Sequence, residues 1–502
     1  MSADEMDDMP DASEADLERW ARDEEYMHTD DDNPNPRVGR VCQIGDHVEL
    51  SRFLVTDLGG PENLVYDELH AWRYDEASGL WPKVDGAEES RIVQSYSGTP
   101  KLPNGAPLRV KASDVAGAIK LAHDQIARPD FFGDVSCIAF SDCVVRLTPA
   151  GLEVLPHARE HRVRAGYPFP YEPRALPRRF LAFLSEVFRD DADRCEKELL
   201  VQEFFGACIF GSATRYQKAL LAFGPTADNG KSTLSKTIVA CMPSGTTSAI
   251  PPQHWGHEYY RALLIGKLLN AVNELPDGEI IASESFKAIV TGDDVVGRVI
   301  RERPEMIRPK AGHYFATNKL PGTTDQTEGF WRRFIVLTFN RSFTNDPSRD
   351  PDLDVKLLEE RPKIVSWLLD GAARLVREKA YTIPSSHTAA VREWRKSADQ
   401  VALFVDAELR PLRNHEDVGT GLFAAEMYGT YRRWTETNGH RAMASNKFGS
   451  RMRELGHAPT KTKTGWRYLL VPKTAAERAG VTDGDGQVTD YPSPRNREVS
   501  RA

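Results

Sequence analysis

The sequence predicts an α/β protein: a core of alternating short β runs and helices, preceded by a smaller α+β module and followed by a basic helix–helix–β-wing domain. Three observations carry this reading. Residues 218–239 pass from an apolar run through a Gly-rich turn into Lys231-Ser232-Thr233 at the head of a helix. Two further apolar runs, 267–274 and 313–318, end in polar side chains. Residues 421–473 hold ten Lys/Arg against three Glu. With 502 residues the chain can form about three folded units.

Composition excludes several classes. The six cysteines, at 42, 137, 143, 195, 208 and 241, form no CxxC pair, which argues against a disulfide scaffold and against zinc. No stretch reaches the roughly 18 consecutive apolar residues of a membrane span, and the N-terminus is acidic where a secretion signal is basic. A cytoplasmic protein without a membrane partner is therefore expected. The net charge of −9 is misleading, since residues 1–36 alone hold 14 Asp/Glu against Arg19 and Arg22.

Taken in order, residues 1–36 bury too little apolar surface to order themselves and are expected to be a disordered acidic tail. Residues 37–175 form the α+β module. Leu50, Phe53, Leu54 and Leu58 share one helical face. Ser113 opens a helix with Val115, Ile119, Ala122 and Ile126 inward, and 143–147 with 152–155 make a hairpin around Pro149-Ala-Gly151. Residues 176–216 hold two amphipathic helices, 217–345 the core, 346–410 a helical connector, and 411–473 the basic domain. Residues 474–502 return to a disordered composition. In the basic domain Met427, Tyr431 and Trp434 mark one helix face, 446–455 a second helix, and 461–471 a hairpin. This order predicts a winged helix whose second helix, with Lys447, Arg451 and Arg453, reads a DNA groove and whose hairpin carries Lys461 and Lys463, a protein-contacting winged helix being the alternative.

The core carries the chemistry. A strand that feeds a helix through glycines points backbone N–H groups at an anion, where the helix dipole also favours negative charge. Gly224, Asp228, Asn229, Gly230, Lys231, Ser232 and Thr233 are the candidate triphosphate contacts. Lys231 would reach the β and γ phosphates, and Ser232 would ligate Mg²⁺. Five residues separate Gly224 from Gly230 where four are usual. Either the loop bulges or Gly224 is not the first glycine of the motif; a chance helix cap is the bland alternative. Glu274, at the end of the 267–274 run, is the candidate for polarising the attacking water, directly or through Mg²⁺. A merely solvated strand end is the alternative. Asn318 can hold that water or the γ-phosphate. Of the paired Arg332 and Arg333, one can reach a neighbouring subunit's nucleotide, with Arg333 favoured. Gly292-Asp-Asp294 lacks the third separated carboxylate of a two-metal polymerase site and is expected to turn the chain.

The ordered set GPTADNGKST, Asn273-Glu274, SESFKAIVTGDDVVGRVIRERPE, FATNKLP and GFWRRFIVLTF resembles the superfamily 3 helicases. It is most similar to the helicase portion of the phage and plasmid primase-helicases related to the poxvirus primase-helicase. The resemblance extends over about residues 40–472, with 138–147 and 177–184 similar to the family's helicase-associated module. It implies an AAA+-like P-loop ATPase that works as a ring, commonly a homohexamer, on single-stranded or forked DNA, using ATP and Mg²⁺. Lys231 and Ser232 fall on its phosphate loop, Glu274 on its second motif, Asn318 on its sensor and Arg332 or Arg333 on its finger. The stretch 283–303 falls on a motif whose following hairpin lines the DNA channel. There Arg301, Arg303, Arg308 and Lys310 offer four positive charges, with a solvated loop as the alternative. Asn273 departs from the acid that many ATPases carry, which bears on Mg²⁺ geometry. No primase domain is apparent, so any primase or initiator is expected to be a separate protein. The expected activity is ATP-driven DNA unwinding for a phage, plasmid or mobile element, in the bacterial host cytoplasm. The rivals are an origin-binding initiator that does not unwind and a defence-associated NTPase of the same fold.

Overall fold

The computed structural model describes residues 40–478, apart from 104, 134–135, 276–280, 282, 300–302, 324, 345, 348–349, 414–415, 417 and 440–441. The acidic stretch 1–36, Arg301 and residues 479–502 lie outside the described residues. The described residues divide into two compact units, one of residues 40–66 with Lys83–Arg128, the other of Asp67–Pro82 with residues 129–478.

The first unit is built on helices α1 (His47–Asp57), α2 (Gly86–Gln94) and α3 (Ala112–Ile126). Asp46 caps α1 by accepting from the Glu49 amide at 2.9 Å, and Leu50, Leu54 and Leu58 are buried, as their spacing predicts. On α3 the buried positions are Ala118, Ala122 and Ile126. Glu89 of α2, almost fully buried, is matched by His123 of α3 at 2.7 Å.

In the second unit an antiparallel meander comes first, of β1 (Cys137–Ala139), β2 (Val144–Thr148) and β3 (Gly151–Leu155). The sequence assigned this meander to a module ending near 175. In the structure its Ile138, Phe140, Val145 and Leu147 join one core with α4 (Arg178–Val187), α5 (Arg194–Ile209) and α10 (Arg361–Glu378). The meander therefore packs with these helices, while its other face, at Ala139 and Val144, is covered by Val163 and Leu80.

A five-stranded parallel sheet forms the centre, in the order β10 (Phe334–Thr338), β4 (Ala219–Phe223), β9 (Gly312–Thr317), β6 (Leu269–Val272), β5 (Thr247–Ser248). Its inner strands read as unbroken apolar runs because both faces are covered. Leu220, Ala222, Tyr314, Ala316, Ile335 and Leu337 face α5, α6 (Lys231–Cys241) and α10. Alternate residues Leu221, Phe315, Phe334 and Val336 face Trp255, α7 (Ser283–Thr291), α8 (Glu328–Trp331) and α11 (Ser385–Ala398).

Helix α5 departs from the amphipathic pattern expected of it. It is buried on nearly every side between the sheet and α10, which it meets at Gly206 and Gly371; a Cβ on either would strike the other helix's backbone. Its Lys197 is fully buried and is neutralised by Asp191 at 2.8 Å, with the Thr338 carbonyl accepting at 2.9 Å.

Beyond α11 follow α12 (Gln400–Glu408), β11 (Leu409–Pro411), α13 (Ala424–Thr437), α14 (Ser445–Glu454), the hairpin β12 (Thr460–Thr462)/β13 (Gly465–Arg467) and β14 (Leu470–Pro472). One core gathers Val401, Phe404 and Leu409 with Met427, Tyr431, Phe448, Met452 and Leu470. Val401, Phe404 and Leu409, which the sequence placed in the connector, thus pack into this core. The predicted 461–471 hairpin is shorter, because β14 leaves it to pair antiparallel with β11. The chain continues past 474 into a helical turn, Ala475–Arg478, whose Glu477 pairs with Arg410 and Arg413. Among the described residues no helix is long and apolar enough to cross a membrane.

Candidate functional site

Because the sheet is parallel, the loops after β4, β6 and β9 emerge at one edge, the usual place for a ligand in an α/β sheet. The chain leaves β4 at Gly224 and enters α6 at Lys231. Asp228 (φ 49°) and Gly230 (φ 88°) are left-handed, Gly230 forming the N-cap of α6. A Cβ on Gly230 would also come within 2.7 Å of Val187. Two hydrogen bonds hold the loop between these residues. The Asn229 side-chain amide donates to the Thr226 carbonyl at 2.7 Å, and the Asp228 carbonyl accepts from the Phe343 amide at 2.7 Å.

Lys231 Nζ donates to the Gly224 carbonyl (3.0 Å), Asn229 Oδ1 (3.0 Å) and Asn318 Oδ1 (2.8 Å). All three acceptors are neutral, so burial is uncompensated and pulls the ammonium down to about 8. Two residues distant in sequence, Lys231 and Asn318, thus meet because β9 lies beside β4. The exposed Ser232 and its neighbour Thr233 open on a cavity of about 550 Å³, walled by Phe183 and Glu186 of α4 and by Phe343 and Asp354.

Glu274 is exposed just after β6, on the far side of β9 from the Lys231 loop. Its neighbour Asn273 accepts a hydrogen bond from Ser235 of α6, tying the end of β6 to that helix. This Ser235–Asn273 contact and the cavity wall were not foreseen from sequence. A serine one turn into a helix has no distinguishing mark, and Phe343 and Asp354 belong to no motif.

The paired arginines separate cleanly. Arg333 is buried, donating from Nη2 to Thr291 Oγ1 at 3.0 Å and from Nη1 to the Gly329 carbonyl, and burial lowers its pKa. Arg332 is exposed. The preference for Arg333 as the reaching arginine does not match this geometry, since its guanidinium is fastened inside its own subunit. Both precede β10, and the Arg333 carbonyl accepts from the amide of Ala219, the first residue of β4. They therefore lie at the opposite end of the sheet from Lys231, separated by the five residues of β4, about 17 Å of strand.

The candidate DNA contacts divide too. The hairpin of β7 (Val295–Gly297) and β8 (Glu305–Ile307) leaves Arg303 exposed. Arg308 instead pairs with Asp294 at 2.9 Å, and Lys310 donates to the carbonyl of Gly133. Asp294, one of the rejected polymerase carboxylates, is thus occupied by an arginine. On α14, Lys447 and Arg453 are exposed, whereas Arg451 is held by Asp399 and Glu454, each at 2.6 Å. Lys461 and Lys463 are exposed on the β12–β13 hairpin.

Against known proteins, a family of unknown function, DUF5906, matches residues 222–333, which span the Lys231 loop, Glu274, Asn318 and both arginines. "Putative helicase 022R" of Frog virus 3 (isolate Goorha) is 23% identical over 283 residues, 52% of this chain and 28% of that protein. Among solved structures, the apo NrS-1 C terminal region aligns over 84% of this chain and 99% of its own, with 13% identity and a TM-score of 0.44. JCV helicase, solved with a thiazolopyridine ligand, aligns over 45% of this chain and 71% of its own, with 12% identity and a TM-score of 0.22. The chain is similar in sequence to a viral protein named as a helicase, and spans about a quarter of that relative's length.

Proposed function

We propose that the chain is an ATP-driven DNA helicase of the superfamily 3 type, acting as a ring on single-stranded or forked DNA. The observation that carries this reading is the convergence on Lys231 of the Gly224–Gly230 loop and Asn318, at the strand-end edge of a parallel sheet. Triphosphate oxygens would replace the neutral oxygens that now hold the ammonium, and the backbone amides at the head of α6 would complete the cradle. The cavity beside Ser232 has the size of a nucleotide site, within roughly 300–1,000 Å³.

Mg²⁺ in such sites takes substrate phosphate oxygens, water and one or two protein oxygens. The exposed Ser232 hydroxyl and Glu274 carboxylate fit that donor set, and the ion would neutralise phosphate charge. Glu274 would orient the water and accept its proton, and Asn318 would hold the γ-phosphate by a neutral amide. The last element is an arginine. Arg179 of the same subunit lines the cavity but is held by Glu359, whereas Arg332 lies a full strand length from its own Lys231, so an Arg332 that stabilises the transition state would act in the site of a neighbouring copy. This is the reason for preferring a ring, a homohexamer by family resemblance, to a monomer. The domain from about 400 to 473 is read as a winged helix that adds nucleic-acid contacts.

Strand displacement on a forked substrate tests the whole. ATP-dependent release of a labelled strand by the wild type, absent with Lys231→Ala, is expected. Binding and hydrolysis without release would instead favour an initiator that assembles on DNA.

A further inference from the structure

The β12–β13 hairpin has two different faces. On one, Arg467 lies 3.5 Å over the Phe423 ring, its Nη1 donates to the Gly421 carbonyl at 2.6 Å, and Phe423 bridges the Arg467 backbone. That face fixes the hairpin to its domain. The turn is fastened as well, by Thr462 Oγ1 donating to the Gly465 carbonyl at 2.7 Å.

On the other face, Trp466 stands directly opposite Lys461 in the antiparallel register, so the two side chains are neighbours on one surface. Trp466 is 56% exposed, an unusual condition for the largest apolar side chain on a short, well-anchored strand. Lys463 stands in the turn beside them, and no acidic residue occurs between Leu455 and Ala476. An indole on a fixed platform, flanked by lysines and far in sequence from any carboxylate, matches a polyanion that carries flat aromatic groups.

We propose that Trp466 is a base-stacking contact: the indole packs on an unpaired base of a nucleic-acid strand while Lys461 and Lys463 hold the adjoining phosphates. Stacking of this kind is tolerant of sequence and needs a base that is not already stacked in a duplex. It shifts the main contact of the C-terminal domain from helix α14, whose Arg451 is tied to Asp399, to the hairpin. The proposal rests on the nucleic-acid part of the function proposed above and goes beyond it in naming the strand type and the residue.

The test measures anisotropy of three labelled oligonucleotides with the full chain: an oligothymidylate, an abasic strand of equal length, and a blunt duplex. Trp466 is exposed, so Trp466→Ala should leave folding intact, and a thermal melt checks this. The wild type is expected to prefer oligothymidylate to the abasic strand. Trp466→Ala should weaken oligothymidylate binding about tenfold, the scale of one lost base-stacking contact, and leave the abasic strand unchanged. Trp466→Phe should keep most of the preference. Lys461→Ala with Lys463→Ala should weaken both strands and lower the single-strand salt slope by about 1.4. Equal loss on both strands, no loss, or a loss of self-association in place of a loss of base preference would overturn the proposal. If the wild type binds none of the three, the nucleic-acid reading falls with it; if it binds all three alike, only the stacking role falls.

Discussion

Replacing each member of the Arg332/Arg333 pair by alanine should produce opposite phenotypes. Arg333 is buried with donors to Thr291 Oγ1 and to the Gly329 carbonyl. Its removal leaves those acceptors unpaired and opens a gap between α7 and α8, a loss of about 1–3 kcal/mol in stability. Arg332 is exposed, and truncating it should change stability by no more than about 0.5 kcal/mol. If Arg332 completes a neighbour's site, its loss should lower hydrolysis by about 10³ or more, the usual worth of an arginine finger and roughly 4 kcal/mol of barrier. Thermal melts and steady-state ATP turnover on the same preparations separate the two. Mixing Arg332→Ala with Lys231→Ala should restore part of the turnover, since each supplies what the other lacks across one interface. Normal turnover by Arg332→Ala, or its loss without any rescue at all mixing ratios, would refute an arginine supplied in trans.

Other outcomes follow from the same geometry. Burial holds the free Lys231 ammonium at about 8, and bound phosphates would raise it. Nucleotide affinity should therefore be flat below that pH and fall above it, by at most about tenfold per pH unit, because binding must then take up a proton; titration with a fluorescent nucleotide reads this, and a flat profile to alkaline pH would oppose a direct Lys231–phosphate contact. Lys231→Ala should abolish nucleotide binding, whereas Glu274→Gln should bind normally and not turn over; equilibrium binding beside a phosphate-release assay distinguishes them. Asn318→Ala should reduce turnover more than affinity, as a group that positions the reacting phosphate would. Arg451→Ala should lower the melting temperature of the C-terminal domain by breaking its pair with Asp399, with less effect on the salt slope of DNA binding than Lys461→Ala, and the reverse order would return Arg451 to the DNA-contact set.

The core was legible because its strands are short apolar runs ending in polar residues, and parallel pairing turns that local pattern into a shared edge. Lys231 and Asn318 meet for this reason. Arg332 and Arg333 were not separable, since adjacent residues before a strand carry no mark of which one the turn buries; the Thr291 hydroxyl that captures Arg333 is 42 positions away. Charge counting likewise could not show that Arg308 and Arg451 pair with Asp294 and Asp399. The cover of the meander was not legible either, because its apolar face reveals nothing in sequence about which helix will pack on it. The burial of Lys197, on a helix read as amphipathic, was not legible, because Asp191 and the Thr338 carbonyl that enclose it come from a turn before the helix and from β10.

The most direct measurement is the mass of the purified chain in solution, taken with a non-hydrolysable ATP analogue and single-stranded DNA, beside ATP turnover under the same conditions. A closed multimer that hydrolyses ATP, and loses hydrolysis without losing its mass on Arg332→Ala, is the predicted result. A monomer that consumes no ATP with DNA present would contradict a site completed between copies.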